Sequence, residues 1–175
     1  MGNTFFTADL HLSHTNIIKY CNRPFSGVKE MNETIINNWN EEVGKDDLVY
    51  MLGDFGFGNL SNMLIQLHGR IVMITGSHDK SIKQNKTRFE FISPLLNIEI
   101  EKQPVTLCHY AMRVWHRSHF NAWHLYGHSH GKLNPEGKSW DVGVDNNNFR
   151  PLSWGEIKEI MKVRPDNFNL VRGRG

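Results

Sequence analysis

Polar clusters that directly follow short apolar runs constrain this chain more than any other feature of its sequence. They are Asp9-Leu10-His11, Gly53-Asp54, Gly76-Ser77-His78-Asp79, His109 and Gly127-His128-Ser129-His130. The runs before them are short and contain many β-branched and aromatic residues, which is typical of buried strands. Because ligands in open α/β sheets collect where the carboxyl ends of neighbouring strands converge, we expect these clusters to meet at one edge of a sheet.

The first half of the chain predicts alternating strands and helices. Residues with helical spacing, among them Met31, Ile35 and Trp39, indicate an amphipathic helix. The predicted strands are 4–8, 47–52 and 70–75, and the predicted helices are 28–43 and 59–68. This order favours a mixed sheet that is covered by helices.

The second half of the chain predicts mainly strands. A hairpin of 95–101 with 105–108 is followed by strands at 123–126 and 140–144. A capping box, Ser153 with Glu156, begins a helix that runs to about Lys162. We therefore predict one α/β domain over residues 1–164 and a C-terminal tail over residues 165–175.

Charge and cysteine content narrow the classes of partner and the cellular setting. Lys and Arg number 20 against 18 Asp and Glu, so a formal charge of +2 gives no sequence-wide attraction for nucleic acid, and phosphate recognition must be local. No apolar run is long enough for a membrane span, and the N-terminus lacks the pattern of a signal peptide. Cys21 and Cys108 are too few for a disulfide scaffold, which predicts a cytoplasmic protein.

The order of the polar clusters carries more information than any one of them. With 10 His in 175 residues, a chance His-x-His is expected roughly half the time. Here Asp-x-His, Gly-Asp, Gly-Ser-His-Asp, His and Gly-His-x-His follow one another from Asp9 to His130, and Asp141-Val-Gly-Val-Asp145 comes next. In this combination the chain resembles the calcineurin-like metallophosphoesterase superfamily over most of its length. The resemblance implies a four-layer αββα fold, in which mixed β-sheets form a sandwich flanked by helices.

The resemblance also implies metal-dependent hydrolysis of phosphoesters. It assigns two divalent metal ions to six side chains, one to Asp9, His11 and His130 and the other to His109 and His128, with Asp54 bridging both. Two such ions about 3.5 to 4 Å apart lower the pKa of a shared water and clamp the phosphoryl oxygens, so that metal-bound hydroxide attacks. Ligation by His and carboxylate suits Mn, Fe, Zn, Co or Ni, and manganese is the metal that we predict.

The cluster at 76–79 contains the predicted acid and the one departure from the superfamily pattern. His78 aligns with the histidine that donates a proton to the leaving group, and Asp79 is predicted to orient its ring, with a structural pair as the alternative. Ser77 stands where the superfamily has an Asn that ligates the second metal. Because a hydroxyl is the shorter and poorer ligand, we expect a weak second site.

The function predicted from these clusters is hydrolysis of phosphodiesters, which could be nucleotide-derived, or of phosphomonoesters. The alternative is a catalytically weakened member that binds a phosphate ligand or a partner without turning it over. Ser77 is the reason for considering this alternative. A structural zinc protein is disfavoured because closed zinc sites usually contain more cysteine than this chain has.

The segment between His109 and His128 is rich in aromatic and cationic residues. We predict that it borders the site and contacts a small phosphoester or nucleotide-like substrate through these side chains: Arg113, Trp115, Arg117 and Phe120. The alternative is packing in the core and at the subunit interface of a homo-oligomer.

A second stretch, residues 14–23, follows the first polar cluster. In this stretch Asn16 and Arg23 are predicted to face the substrate. The alternative for Arg23 is a solvated surface charge, which is the commoner place for an arginine.

Overall fold

Strands and helices alternate through the first half of the chain, and strands dominate the second half. The computed structural model describes residues 2–171, without the side chains of Ser81 and Lys83. The elements are β1 Thr4–Thr7, α1 Thr15–Tyr20, α2 Val28–Glu42, β2 Leu48–Leu52, α3 Ser61–Leu64, β3 Arg70–Ile74, β4 Phe89–Ser93, β5 Leu95–Ile100, β6 Gln103–Cys108, β7 Trp123–Tyr126, β8 Ser139–Asp141, β9 Leu152–Ser153 and α4 Trp154–Val163. Segments of 3-10 helix lie at Asp79–Arg88, Ser118–Phe120 and Val144–Asn146.

The first sheet has the strand order β4-β3-β2-β1-β9. Its first four strands run parallel, and β9 pairs antiparallel with β1. Thr7 lies opposite Met51, and Met51 lies opposite Met73, so β1, β2 and β3 end at the same level. The residues that follow these strands therefore leave the sheet at one common edge.

The second sheet has the strand order β5-β6-β7-β8. The β5–β6 hairpin is antiparallel, whereas β6, β7 and β8 run parallel. Its parallel strands end close to those of the first sheet, because Ala8 forms a bridge with Gly143 and the His128 N–H donates to Asp9 Oδ2 at 2.7 Å. The carboxyl ends of both sheets thus meet in one region.

Two apolar clusters hold these layers together. In the first, Met31, Ile35 and Trp39 of α2 pack on the first sheet, and the Trp39 indole donates to the His68 carbonyl at 3.0 Å. In the second, the facing sides of the two sheets pack together through residues such as Leu107 and Leu125. Helix α4 contacts β1, β8 and β9, and so closes the gap between the edges of the two sheets.

The predicted fold class, α/β with two mixed sheets in one domain, is confirmed. The segment 110–122, which includes the 3-10 helix Ser118–Phe120, packs on β7 of the second sheet. Trp115 packs on the His124 ring with centroids 5.2 Å apart, and its indole donates to the Ala122 carbonyl at 2.9 Å. The Met112 N–H donates to His124 Nε2 at 3.1 Å.

Other elements differ from their predictions for local reasons. The helix predicted at 59–68 is reduced to α3, and the chain continues in turns after Ile65. The strand predicted at 140–144 stops at Asp141, where Oδ1 accepts the Gly143 N–H at 2.7 Å and the chain turns. Strands β4 and β9 and helix α1 were not predicted.

The predicted tail begins against the body of the protein. Asn167 is buried and donates to the carbonyls of Ser118 and Ala122, at 2.9 Å each. Residues 172–175 lie outside the described residues. Across residues 2–171, no helix combines the length and apolarity needed to cross a bilayer.

Candidate metal centre

Six predicted ligands come together at the shared edge as two groups of three. One group is Asp9, His11 and His130, and the other is Asp54, His109 and His128; within each group, one ligand atom per residue lies within 4.8 Å of the others. The groups adjoin, since Asp54 Oδ2 is 3.7 Å from His11 Nε2 and 3.4 Å from His109 Nε2. The Asp54 carboxylate therefore lies between the groups, where a bridging ligand would have to be.

The backbone at these ligands is unusual. Positive φ values occur at five of the six: Asp9 (59°), His11 (51°), Asp54 (56°), His128 (66°) and His130 (49°). Non-glycine residues adopt this left-handed conformation at a cost, and they keep it where surrounding contacts impose it. Here the Asp9 N–H donates to the Gly53 carbonyl and the His11 N–H to the Asp54 carbonyl, both at 3.0 Å. The strand-end loops are thus fastened to each other.

Two glycines allow the close approach of neighbouring backbone to the ligands. Gly53 has φ +89°, and a Cβ there would lie 2.4 Å from His109 Nδ1. A Cβ at Gly127 would lie 2.7 Å from Asp9 Oδ2 and 2.5 Å from Ala8 Cβ. Any side chain at these two positions would displace a ligand, which explains why glycine precedes Asp54 and His128.

Two buried ligand atoms face each other without a hydrogen-bond partner among the described residues. They are Asp9 Oδ1 and His11 Nε2, which are 4.0 Å apart. The other Asp9 oxygen accepts the His128 N–H at 2.7 Å. Burial raises the pKa of Asp9 from 3.8 to about 7 and lowers the pKa of His11 from 6.5 to about 3. Since unpaired buried polar atoms are costly, a cation bound by both atoms would remove the penalty, and the residues present fit a divalent metal.

The second group is organised by Asp54. Burial favours its neutral form, but hydrogen bonds from His109 and from the His78 N–H, at 2.8 Å, outweigh burial and hold the pKa of Asp54 well below its usual range. Burial alone would lower the pKa of His109, yet the contacts with Asp54 and Asp9 raise it. His109 Nδ1 lies 2.8 Å from the Leu52 carbonyl, so in a neutral ring with its proton on Nδ1 the Nε2 atom would be available as the ligand atom.

A buried ion pair holds residues of the first ligand group in position. His130 Nδ1 lies 2.7 Å from Asp145 Oδ2, and Asp145 also binds the Arg23 guanidinium through two contacts of 2.8 Å. Arg23 is 4% exposed and donates to the Asp9 carbonyl at 2.7 Å and to the Leu10 carbonyl at 2.9 Å. Instead of facing a substrate or solvent, Arg23 therefore holds the loop that carries Asp9 and, through Asp145, the ring of His130.

Asp79 does not orient His78 in this structure. Its carboxylate accepts three backbone N–H groups, from Asp54 at 2.9 Å, Phe55 at 2.9 Å and Gly76 at 2.5 Å. Burial raises the pKa of Asp79, and these three bonds oppose the rise. The residue thus fixes the loop of Asp54, which agrees with the structural alternative for this position.

His78 and Ser77 lie on the open side of the site. The exposed His78 ring has its centroid 5.9 Å from that of His11 and 5.2 Å from that of Phe57. The Ser77 hydroxyl lies 3.2 Å from Asp54 Oδ2 and 3.4 Å from Asp54 Oδ1. Its oxygen is therefore next to the second group, at the position where the sequence lacks the usual Asn.

The remaining predicted substrate contacts lie apart from the ligands. Asn16 is exposed on α1, Arg113 pairs with Glu136 at 3.3 Å, and Arg117 is exposed before the turn at Ser118–Phe120. Trp115 is 8% exposed and packs on the second sheet, as the packing alternative predicts. In the described part of the chain, no contact found joins these four side chains to the six ligands.

Sequence reasoning missed the aromatic side chains around the site. The Phe57 ring centroid is 4.4 Å from that of His14 and 6.2 Å from that of His11. The Tyr110 ring centroid is 4.9 Å from those of both His109 and His128. A signal was present, because Tyr110 directly follows His109 and Phe57 comes three residues after Asp54.

Comparison with known proteins finds relatives whose function is not described. No family model matches the chain. It is 35% identical over 174 residues to the uncharacterized protein MJ1445 of Methanocaldococcus jannaschii, and the match covers 93% of each chain. The protein of unknown function AQ665 from Aquifex aeolicus has a similar structure, with a TM-score of 0.74, 26% identity, and coverage of 91% of this chain and 100% of that one. Yfce, a phosphoesterase from E. coli, matches 81% of this chain and 78% of its own with a TM-score of 0.45 and 18% identity, a likeness that carries no argument about activity.

Proposed function

We propose that the chain, which belongs to one family with the uncharacterized protein MJ1445 of Methanocaldococcus jannaschii, is a metal-dependent hydrolase of phosphoesters of the calcineurin-like metallophosphoesterase superfamily. One observation carries the proposal: two groups of three His and Asp ligands adjoin at the carboxyl edge of the sheets. Two of the ligand atoms in them, Asp9 Oδ1 and His11 Nε2, are buried without a protein partner in the described residues.

The proposed assignment gives each group one divalent ion. Asp9, His11 and His130 would hold the first ion, and His109 and His128 the second, with Asp54 shared between them. When bound, two such ions lower the pKa of a water molecule and neutralise charge on phosphoryl oxygens. We propose manganese because nitrogen and carboxylate ligands together suit the harder first-row metals.

His78 is the proposed proton donor. Its ring is exposed at the open side of the site, and its own N–H is anchored on Asp54 Oδ1 at 2.8 Å, which fixes the backbone beside the ligands. When the bond between phosphorus and the leaving oxygen breaks, that oxygen takes up a proton. An imidazole N–H, such as that of His78, can donate this proton.

Hydrolysis of bis(p-nitrophenyl) phosphate with added Mn²⁺ tests the proposal. We expect turnover by the wild-type protein and, for a diester with an alkoxide leaving group, which needs protonation, a loss of roughly 10²- to 10⁴-fold in kcat for His78→Ala, the range that general acid catalysis usually contributes. His116→Ala is the matched control, because His116 is an exposed histidine of the segment 110–122. Its kcat should equal that of the wild type.

Two further results decide between this proposal and a binding-only protein. Elemental analysis should find divalent metal bound to the chain. Absence of turnover with Mn, Fe, Zn, Co and Ni would refute hydrolysis and favour the alternative in which Ser77 has weakened the site. The proposed substrate is a small phosphoester, and the proposed setting is cytoplasmic, which the free thiols of Cys21 and Cys108 support.

A further inference from the structure

Phe57 lies among different neighbours from those of a core residue. It is half-buried, and it belongs to neither of the two apolar clusters formed by the described residues. Its ring neighbours are instead three imidazoles, those of His11, His14 and His78, with centroid distances from 4.4 to 6.2 Å. The ring therefore borders the first ligand group and the proposed acid, and it contributes no side chain to the clusters that hold the fold together.

Tyr110 occupies a similar place beside the second ligand group. It is 46% exposed and lies outside both apolar clusters of the described residues. Its ring meets the rings of His109 and His128 edge-on, at interplanar angles of 75° and 68°. The two ligand groups are thus each flanked by a partly exposed aromatic ring. We call His14, Phe57 and Tyr110 the aromatic rim.

The rim is held in position by backbone contacts. The Phe57 N–H donates to the Leu12 carbonyl at 2.9 Å, next to the bridge between Leu12 and Gly56. Tyr110 directly follows His109, whose carbonyl accepts the Gly127 N–H at 3.0 Å. A ring that is already fixed loses little conformational freedom when a flat group stacks on it, and stacking of this kind tolerates many ring types.

From this geometry we propose that the site selects phosphoesters that carry a flat aromatic ring close to the phosphate, an aryl group or a nucleobase, which stacks on the aromatic rim. The inference rests on the proposed function, which puts the phosphate at the two ligand groups. A group attached to that phosphate must then extend out of the site along Phe57 beside His78, or along Tyr110 beside His128. The rim thus determines the substrate class, whereas the six ligands bind the phosphate common to all phosphoesters.

Binding of phosphonates to the manganese-loaded protein tests this inference without turnover, because their carbon–phosphorus bonds resist hydrolysis. The probes are methylphosphonate, phenylphosphonate and thymidine 5′-methylenephosphonate, titrated by calorimetry. We expect one of the ring-bearing probes to bind roughly 5- to 150-fold more tightly than methylphosphonate, the range for stacking on one aromatic side chain. A higher affinity for the thymidine probe than for phenylphosphonate would identify nucleotides as the source of the ring, and the reverse order would identify aryl esters.

Variants of the rim separate stacking from support of the ligands. Phe57→Leu or Tyr110→Leu should bring the affinity ratio close to one and leave methylphosphonate binding unchanged. Phe91→Leu is the matched control, because Phe91 is 52% exposed on the edge strand β4, and it should keep the ratio. If both rim variants weaken all probes equally, the rings only support the histidines and the inference is refuted.

The wild-type protein also distinguishes failure of the inference from failure of the proposed function. Equal binding of all three phosphonates, together with turnover of the chromogenic diester, would overturn the selection of aromatic substrates and leave the hydrolase intact. Failure to bind any phosphonate, together with absence of turnover, would overturn both.

Discussion

Replacing Asp9 by asparagine should stabilise the metal-free protein at alkaline pH. The buried carboxyl has a pKa of about 7 in the folded protein and 3.8 as its ordinary value, which corresponds to on the order of 4 kcal/mol of unfolding free energy. The folded state holds its proton more tightly than the unfolded state, so this cost is absent below about pH 4. It grows as pH rises and is complete above about pH 7. Asp9→Asn removes the charge, and the amide oxygen can still accept the His128 N–H.

Urea unfolding in EDTA, followed by the fluorescence of the buried Trp39 and Trp154, measures this effect. The difference in unfolding free energy between Asp9→Asn and the wild type should be near zero at pH 4 and should approach ~4 kcal/mol at pH 8. Asp46→Asn is the control, because Asp46 is exposed in the loop before β2 and should give no such slope.

Addition of Mn²⁺ should narrow the difference in stability between the variant and the wild type. A ligand at 100 times its dissociation constant stabilises the folded state by about 2.7 kcal/mol, and the variant that lacks the Asp9 carboxylate should lose most of this gain. A variant that is no more stable than the wild type in EDTA at pH 8 would refute the reasoning. It would mean that neighbouring groups already compensate the Asp9 charge without metal.

Two other substitutions test the ligand groups. Ser77→Asn should raise metal occupancy and diesterase activity, because the longer amide oxygen is the better ligand beside Asp54; unchanged metal content by elemental analysis would contradict this. Asp145→Asn should weaken metal affinity roughly 10- to 100-fold, since Asp145 holds the His130 ring, and should restore near-wild-type kcat at saturating metal. A metal titration that gives the wild-type midpoint would show that Asp145 is dispensable.

Most strands of the fold were predictable because each is a short apolar run that ends at a polar cluster. The missed strand β4 reads Phe-Glu-Phe-Ile-Ser and lies at the edge of the sheet, where Glu90 and Phe91 are exposed. The overextended helix at 59–68 had the right apolar spacing, but only Ser61–Leu64 is helical. The local sequence pattern thus predicted the strands that are uniformly buried. It failed for the edge strand β4 and for the length of helix α3.

The convergence of the six candidate ligands was predictable because each lies one to four residues past a strand end, and parallel strands align their ends. The surroundings of the site were not predictable in this way. Arg23 is buried through Asp145, a partner 122 residues away, and Trp115 is buried by its contact with β7. With the same local sequence but without these partners, the arginine and the tryptophan would be exposed.

The sequence by itself determined which candidate ligands exist, their order along the chain and the edge at which they gather, since strand, turn and polar residue are neighbours in the chain. The tertiary structure decided which side chains stand around them: Arg23 beneath the ligands, Asp79 within the loops, and Phe57 and Tyr110 at the rim. Such roles depend on contacts between distant segments, whose geometry arises only when both sheets pack together.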